Sequence, residues 1–204
     1  MNSFAKVVSF VLHPLWMPLF TLLILYSIDP FLGLSQGQFK LLGVMLLICI
    51  GAPGISILVM VKRKIVSDIE VSNKRERYVP FFLVLFYYIL TYGFLRWNHL
   101  HLPKAIYAML FSLIVSLIIA MLVNLQTKVS IHLMAMGGVA GALLAFNQMH
   151  LLGIGLFMAF WLLLSGLLAW SRIYQGLHTT RQVYLGFSLG FLIHFGVISC
   201  ECFL

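Results

Sequence analysis

The residues with the clearest chemical potential lie near the end of the chain, in the string Ser171-Arg-Ile-Tyr-Gln-Gly-Leu-His-Thr-Thr-Arg-Gln182. His178 and Gln182 are four residues apart, so on a helix the amide can reach the imidazole ring and fix its tautomer. An oriented imidazole can act as a nucleophile or a base. The planar guanidinium of Arg172 can hold a phosphate through paired hydrogen bonds. The string therefore predicts a site that handles phosphate.

Two further strings hold residues of the same kind, each in a loop before an apolar segment. The first provides a serine and a histidine, Ser130 and His132. The second covers residues 68–80 and provides three cations, Lys74, Arg75 and Arg77. Together the three loops offer a nucleophile, an acid for a leaving oxygen and cations for phosphate oxygens. This inventory fits phosphoryl transfer without a metal ion or another cofactor.

The three strings resemble the signature motifs of the type 2 phosphatidic acid phosphatase superfamily, which includes membrane lipid phosphatases. The family pattern is K-x6-R-P, then P-S-G-H, then S-R-x5-H-x3-D. Ser171, Arg172 and His178 match the third motif in identity and in spacing. The resemblance covers residues 62–190 in motif order, and the first apolar segment lies outside it. The sequence also resembles a divergent bacterial branch of the superfamily.

The other two motifs are matched less completely. Ser130 and His132 match the second motif, although Val129 and Ile131 stand where the family has proline and glycine. The first motif is matched only loosely, because its arginine and proline are separated here: Arg77 lies three residues before Pro80. Acidic residues also stand where the family would have its lysine.

The resemblance implies a mechanism for this chain. His178 would attack phosphorus and form a phosphohistidine, and His132 would protonate the leaving group. The implied ligands of the substrate phosphate are Arg172, Arg77, Arg75, Lys74, Ser130 and Ser171. Gln182 stands where the family has the aspartate that orients the nucleophilic histidine. The implied substrate is a lipid phosphomonoester or pyrophosphate that reaches the site from the bilayer.

Gln182 leads to two hypotheses of different classes. Its amide oxygen can accept the imidazole N–H but lends no negative charge, and loss of such a charge in a catalytic triad costs orders of magnitude in rate. Asp68, Glu70 or Glu76 in the neighbouring loop could supply the charge instead. The first hypothesis is a lipid phosphatase. The alternative is a catalytically impaired protein that binds or transports a lipid phosphate and retains the phosphatase pocket.

The elements that position these residues follow from composition. Of the 204 residues, 62% are hydrophobic and only 9% are charged, whereas soluble domains carry about a quarter charged residues. A membrane-spanning helix needs about 20 apolar residues. We expect an all-α transmembrane bundle of six to seven helices in a single domain over residues 1–204. The expected segments are 7–28, 41–61, 79–95, 105–124, 132–146, 151–170 and 183–203.

Two of these segments have distinctive sequences. The first contains His13, Pro14 and Pro18, which predict a kink or a partly re-entrant segment. It is expected to be an extra N-terminal helix beside a phosphatase-like core over about 41–203. The fifth is short and rich in small residues, which favours close helix packing over exposure to lipid.

The charge pattern concerns partners and location. If all seven segments span, ten of the 13 lysines and arginines fall on the side of the N-terminus. Because they lie in short loops between apolar runs, they predict contact with membrane lipid headgroups or a phosphate and not with nucleic acid. A multi-pass protein of a bacterial inner membrane is expected. The membrane face of the site and the oligomeric state stay open.

Each histidine also has a structural interpretation. His178 and His132 could each bond main-chain carbonyls at a helix end, although their occurrence with Ser130, Ser171 and Arg172 favours a site. His99 and His101 have a metal-like spacing, but no carboxylate or cysteine lies near them in sequence, so no metal site is predicted. His13 is interpreted as a helix-end or packing residue.

Overall fold

The protein is described by a computed structural model, which covers residues 3–29, 37–69, 71, 73–98, 102–150 and 153–200. Within these residues all regular structure is helical. Seven helical segments are long and apolar enough to cross a membrane, which confirms the predicted all-α polytopic bundle. The α-helices are α1 Ser3–Val11, α2 Met17–Ile28, α3 Gln38–Val44, α4 Ala52–Lys62, α5 Tyr78–Trp97, α6 Lys104–Gln126, α7 Ile131–His150, α8 Gly155–Tyr174 and α9 Thr180–Ser199.

The first span is kinked, as its prolines predict. Helix α1 ends at Val11, a 3₁₀ turn follows over Pro14–Trp16, and α2 completes the span. Proline has no N–H to donate and its ring excludes the main chain of the preceding turn, so the helix cannot continue through Pro14. The His13 side chain caps the 3₁₀ turn by accepting the Leu15 N–H at 3.3 Å.

The second span is also irregular. Helices α3 and α4 are joined by a π-helical segment over Met45–Gly51, and Pro53 follows in the first turn of α4. A π segment widens the helix locally and changes the direction in which its side chains point. The first two spans are therefore the least regular part of the bundle.

The α7–α9 pair, named here the glycine-packed pair, forms the centre of the fold. The α7 span is the most buried of the seven. Of an apolar 18-residue stretch in each span, 72% is buried in α7, against 28–44% in the others. A Cβ added at Gly190 of α9 would collide with the Met134 carbonyl, and one added at Gly137 of α7 would collide with the Phe187 carbonyl. The small residues let the two main chains touch, which confirms the close packing predicted for the fifth segment.

The sixth predicted segment differs from the observed helix at its C-terminal end. The hydropathy pattern predicts a helix over 151–170, whereas α8 runs from Gly155 to Tyr174. The helix continues because Ser171 and Arg172, although polar, are buried against α1. Ser171 Oγ donates to the Ala5 carbonyl at 2.7 Å, and the Ser9 and Ser171 hydroxyls are 3.0 Å apart. These contacts also put the start of the chain at the same end of the bundle as the string from Ser171 to Gln182.

Candidate functional site

The turn between α8 and α9 brings His178 back over the end of α8. Gly176 adopts a positive φ of 69°, which glycine accepts without steric cost. Its N–H donates to the Ile173 carbonyl at 2.9 Å, and the Leu177 N–H donates to the Arg172 carbonyl at 3.1 Å. This pair of bonds is a Schellman motif, which closes a helix and reverses the chain. The glycine in the string therefore sets the position of the histidine two residues later.

The first turn of α9 holds the His178 ring in one tautomer. Thr179 and Gln182 form a capping box, in which the Thr179 N–H donates to Gln182 Oε1 at 3.2 Å. An N–H can only donate, so the amide atom that faces it is the oxygen. The same oxygen lies 3.2 Å from His178 Nδ1. Nδ1 must therefore carry the proton, which leaves the lone pair on Nε2.

His132 lies in the first turn of α7, buried beneath the same end of the bundle. Its side chain is 4% exposed, and within the described part of the chain its Nε2 atom has no hydrogen-bond partner. The ring hydrogen-bonds the main chain of Ser9 and meets the His13 ring edge-on, with centroids 5.2 Å apart. Ser130 Oγ is also buried without a hydrogen-bond partner among these residues. Unsatisfied buried polar atoms are costly, so both are suited to meet a ligand.

Arg77 joins two of the three loops. It is 3% exposed, and its Nε donates to the Val71 carbonyl at 3.1 Å. Its Nη1 donates to the Val129 carbonyl at 2.9 Å, across to the loop before α7. These acceptors orient the guanidinium but are neutral, so they leave its positive charge in place. A buried positive charge of this kind favours a nearby anion.

One cavity of about 110 Å³ collects the candidate residues from all three loops. Its lining includes Arg77, His132, Arg172 and His178, together with His13 from the first span. We name it the phosphate cavity. Arg172 is 2% exposed, and its Nη1 donates to Ser9 Oγ at 3.3 Å. No carboxylate is among the described residues that line this cavity, so its charge is suited to an anion.

The electrostatics of the cavity keep His178 neutral. Burial, followed by the positive charges of Arg172, Arg77 and Lys128, lowers the pKa of His178 from 6.5 to about 3. The hydrogen bond to Gln182 opposes this shift but does not outweigh it. Burial and the two arginines also lower the pKa of Lys128, whose Nζ donates to the Leu177 carbonyl at 3.0 Å. At neutral pH the His178 ring is therefore uncharged and able to share its Nε2 lone pair.

Four of the six candidate phosphate ligands are not among the residues that line the phosphate cavity: Lys74, Arg75, Ser130 and Ser171. Lys74 donates to the Leu125 and Gln126 carbonyls, at 3.2 and 3.3 Å, and so caps the end of α6. Arg75 is exposed. The Ser171 hydroxyl is turned towards α1.

Of the acids proposed to replace the missing aspartate, Asp68 and Glu76 are not among the residues that line the phosphate cavity. Glu76 accepts hydrogen bonds from Ser67 and from the Asn73 amide, which ties it to its own loop. Asp68 lines a neighbouring, larger cavity. Glu70 lies outside the described residues, as do His99 and His101. The hydrogen bond that orients the His178 ring is the one between Nδ1 and Gln182 Oε1.

His13 is the site residue that the sequence interpretation missed. It does cap a helical turn, as that interpretation expects. It also lines the phosphate cavity and contacts the His132 ring. The family motifs start after the first span, so they gave no reason to add it. The signal in the sequence was the His13-Pro14 pair, because a histidine beside a helix break can turn inwards from a membrane segment.

Within the described ranges, no three His, Cys, Asp or Glu side chains gather closely enough to hold a metal ion. Comparison of the chain with family models, with curated proteins and with solved structures finds no match in any of the three. Function is therefore inferred from the residues and their geometry.

Proposed function

We propose that the chain is an integral membrane hydrolase that removes phosphate from a lipid phosphomonoester or pyrophosphate, through a phosphohistidine at His178. The observation that carries the proposal is the phosphate cavity, in which two buried arginines and two buried histidines from three separate loops share one space. Two guanidinium groups can hold the oxygens of one phosphate. The fixed tautomer of His178 supplies a nucleophilic nitrogen beside them.

In the first step, Nε2 of neutral His178 attacks phosphorus and forms a P–N bond. The P–O bond to the lipid breaks, and the leaving oxygen takes a proton from His132, which enters this step as the imidazolium because the bound phosphate anion stabilises that form. Arg77 and Arg172 hold the remaining phosphate oxygens, where negative charge is concentrated in the transition state. The Nδ1–H of His178 stays hydrogen-bonded to Gln182, which keeps the ring oriented as it becomes positively charged.

In the second step, water attacks the phosphohistidine and breaks the P–N bond. His132, now neutral, takes the proton from the attacking water and regains its acid form. Orthophosphate leaves, and His178 returns to the neutral tautomer. Each residue ends the cycle as it began, so the reaction consumes only the lipid phosphate and water.

The membrane setting favours a lipid substrate. Every described element is a candidate span or a short connection between spans, so the phosphate cavity lies at the end of an apolar bundle. The resemblance to lipid phosphatases suggests four substrate classes: an isoprenyl pyrophosphate, phosphatidylglycerol phosphate, phosphatidic acid or a lipid A phosphate. We place the protein in a bacterial inner membrane as part of the proposal.

A second candidate function is a protein that binds or transports a lipid phosphate without hydrolysing it. Two observations favour it: Gln182 adds no charge behind the imidazole, and the pKa of His178 is lowered to about 3. A less basic ring is a weaker nucleophile. This candidate requires binding of a lipid phosphate, or of vanadate as a phosphate mimic, with no release of phosphate.

The test is release of inorganic phosphate by purified protein in mixed micelles from each of the four substrate classes. The proposal predicts release from at least one class by the native chain and none by His178→Ala. Vanadate should inhibit the release by occupying the cavity. Binding of the lipids and of vanadate without any release would instead support the second candidate.

A further inference from the structure

A second, larger cavity of about 780 Å³ lies next to the phosphate cavity, between the first and second spans. We name it the N-terminal groove. Its walls come from α1, the 3₁₀ turn, the π segment and α4. They are mainly apolar and include Phe10, Trp16, Ile50, Gly54, Ile55 and Leu58. Pockets of about 300–1,000 Å³ are typical of small-ligand sites, so the groove is large enough for part of a lipid.

The irregular geometry of the two spans explains why the groove exists. The first span bends at Pro14, and the second contains the π segment over Met45–Gly51. Two of the wall residues, Gly51 and Gly54, have no side chain. A Cβ added at Gly54 would meet no atom within 4 Å, so that part of the wall borders open space.

The groove adjoins the phosphate cavity. His13, Leu15 and Ile69 line both. The His13 ring stands between them and contacts His132 edge-on, with centroids 5.2 Å apart. A ligand with a phosphate in one cavity and an apolar chain in the other would therefore pass His13.

The groove is open on the side of the first two spans. Phe10 is 73% exposed and Ile55 is 64% exposed, although both line the groove and belong to segments long enough to cross a membrane. Polar side chains of Lys6, Asp68 and Gln175 lie among its lining residues, which is the arrangement expected near a membrane surface. An apolar opening of this kind suits a hydrocarbon chain that enters from the bilayer.

We infer that the N-terminal groove holds a hydrocarbon chain of the same lipid whose phosphate occupies the phosphate cavity. The inference rests on the proposed function for the phosphate, and it adds a binding site for the apolar part of the substrate. It also gives the first span a role, because that span supplies Phe10 and Trp16 to the groove and His13 to the boundary. Discrimination by chain length then depends mainly on the first two spans, which supply most of the groove lining.

The first test fills the groove. Gly54→Leu puts a side chain into it, and Gly43→Leu is the matched control: both glycines are half-buried in the second span, and neither has an atom within 4 Å of an added Cβ. Gly43 is not among the groove residues. Two substrates are compared. One is the long-chain lipid phosphate, among the four classes above, from which the native protein releases phosphate fastest, and the other is its short-chain, water-soluble homologue.

We expect Gly54→Leu to lower kcat/KM for the long-chain substrate at least tenfold and to leave the short-chain value within twofold of the native protein. Gly43→Leu should leave both values within twofold. A Gly54→Leu protein that keeps the native value for the long chain would overturn the inference. So would an equal loss for both substrates in a folded variant, since the groove would then act on the phosphate site.

The second test measures binding without catalysis. A lipid phosphate with brominated chains quenches tryptophan fluorescence on contact, and Trp16 lines the groove. The contribution of Trp16 is obtained by subtracting the signal of Trp16→Phe. We expect the lipid to quench Trp16 fluorescence in the native protein and to leave it unchanged in Gly54→Leu. Equal quenching by a brominated phosphatidylcholine, which has no phosphomonoester, would contradict a site for the substrate chain.

The two tests separate the failure of this inference from failure of the proposed function. Quenching of Trp16 with no phosphate release would keep the groove and reject the hydrolase. Phosphate release with no quenching of Trp16 and no effect of Gly54→Leu would keep the hydrolase and reject the groove.

Discussion

The glycine-packed pair and the first two spans are built in opposite ways. In the pair, α7 and α9 touch main chain to main chain, and a Cβ added at Gly190 would collide with the Met134 carbonyl. In the second span, a Cβ added at Gly54 meets no atom within 4 Å. The first arrangement leaves no space for a side chain between the two main chains at these glycines, and the second leaves a cavity of about 780 Å³.

The difference shows how the molecule divides its tasks. The glycine-packed pair fixes the two ends that carry His132, at the start of α7, and Gln182, at the start of α9. Catalytic groups need such fixed positions, because small displacements cost large factors in rate. The first two spans hold the open space where a flexible apolar chain can lie. Four predictions test this contrast, and they are ordered from the largest expected effect to the smallest.

The largest effect is expected in the glycine-packed pair. Gly190→Ala forces α7 and α9 apart, and overpacking of this kind costs about 1–3 kcal/mol or more. Thermal unfolding in detergent should show a clear loss of stability together with a loss of activity. Gly196→Ala is the control, because Gly196 lies on the same helix and an added Cβ there meets no atom within 4 Å. Equal stability of the two variants would show that the helices are not in contact as described.

The next effect concerns the group that orients His178. Gln182→Ala removes the acceptor of the Nδ1 proton, and we expect turnover to fall by about tenfold to 1,000-fold, with about 1.4 kcal/mol for each factor of ten. The variant also loses half of the capping box. Thr179→Ala removes the other half at a cost of about 1 kcal/mol and keeps the contact with His178. If Thr179→Ala loses as much turnover as Gln182→Ala, helix capping and not ring orientation explains the effect.

A smaller effect is expected in the pH dependence of kcat/KM, and its direction is predicted. Burial and nearby cations lower the pKa of His178 to about 3, so the nucleophile stays neutral as the pH falls from 7 to 5. Gln182→Glu adds a negative charge beside Nδ1 and should raise that pKa, at about 1.4 kcal/mol per unit. The ratio of kcat/KM in Gln182→Glu to that in the native protein should therefore decrease as the pH falls. Measuring both proteins on one substrate cancels the ionisation of the substrate itself, and a constant ratio would contradict the predicted shift.

The smallest effect is expected among the cations outside the phosphate cavity. Arg75 is exposed, and Lys74 caps α6 through two main-chain carbonyls. Arg75→Ala and Lys74→Ala should change kcat/KM by less than about threefold, because neither removes a group that lines the cavity. Arg172→Ala should reduce it by orders of magnitude. A large loss at Arg75 would mean that the loop moves inwards when substrate binds.

The sequence predicts the architecture better than it predicts the site. Hydropathy gives seven spans, and the proline and glycine patterns correctly indicate the kinked first span and the tightly packed fifth. The hydropathy pattern predicts the end of α8 wrongly, because the polar residues Ser171 and Arg172 indicate that the helix ends before them. Their burial depends on α1, more than 160 residues away in the chain, and no local pattern contains that contact.

The candidate site shows the same limit. The spacing of His178 and Gln182 predicts a contact on one helix, and the structure contains that hydrogen bond, although His178 lies just before α9 and Gln182 reaches it from the capping box. Spacing cannot tell which cations turn inwards: Arg77 is buried, whereas Arg75, two residues earlier, is exposed. It also cannot bring His13 to His132, because that contact depends on how the first span packs against α7.

The most direct test of the central claim is to trap the phosphoenzyme. Native protein is mixed with a lipid phosphate carrying radiolabelled phosphorus, quenched in alkali and digested, and the labelled residue is identified by mass spectrometry. The proposed mechanism predicts a label that is stable to alkali and labile to acid, located on His178, and absent from His178→Ala along with all turnover. Label on any other residue, or a His178→Ala protein that still releases phosphate at the native rate, would contradict it.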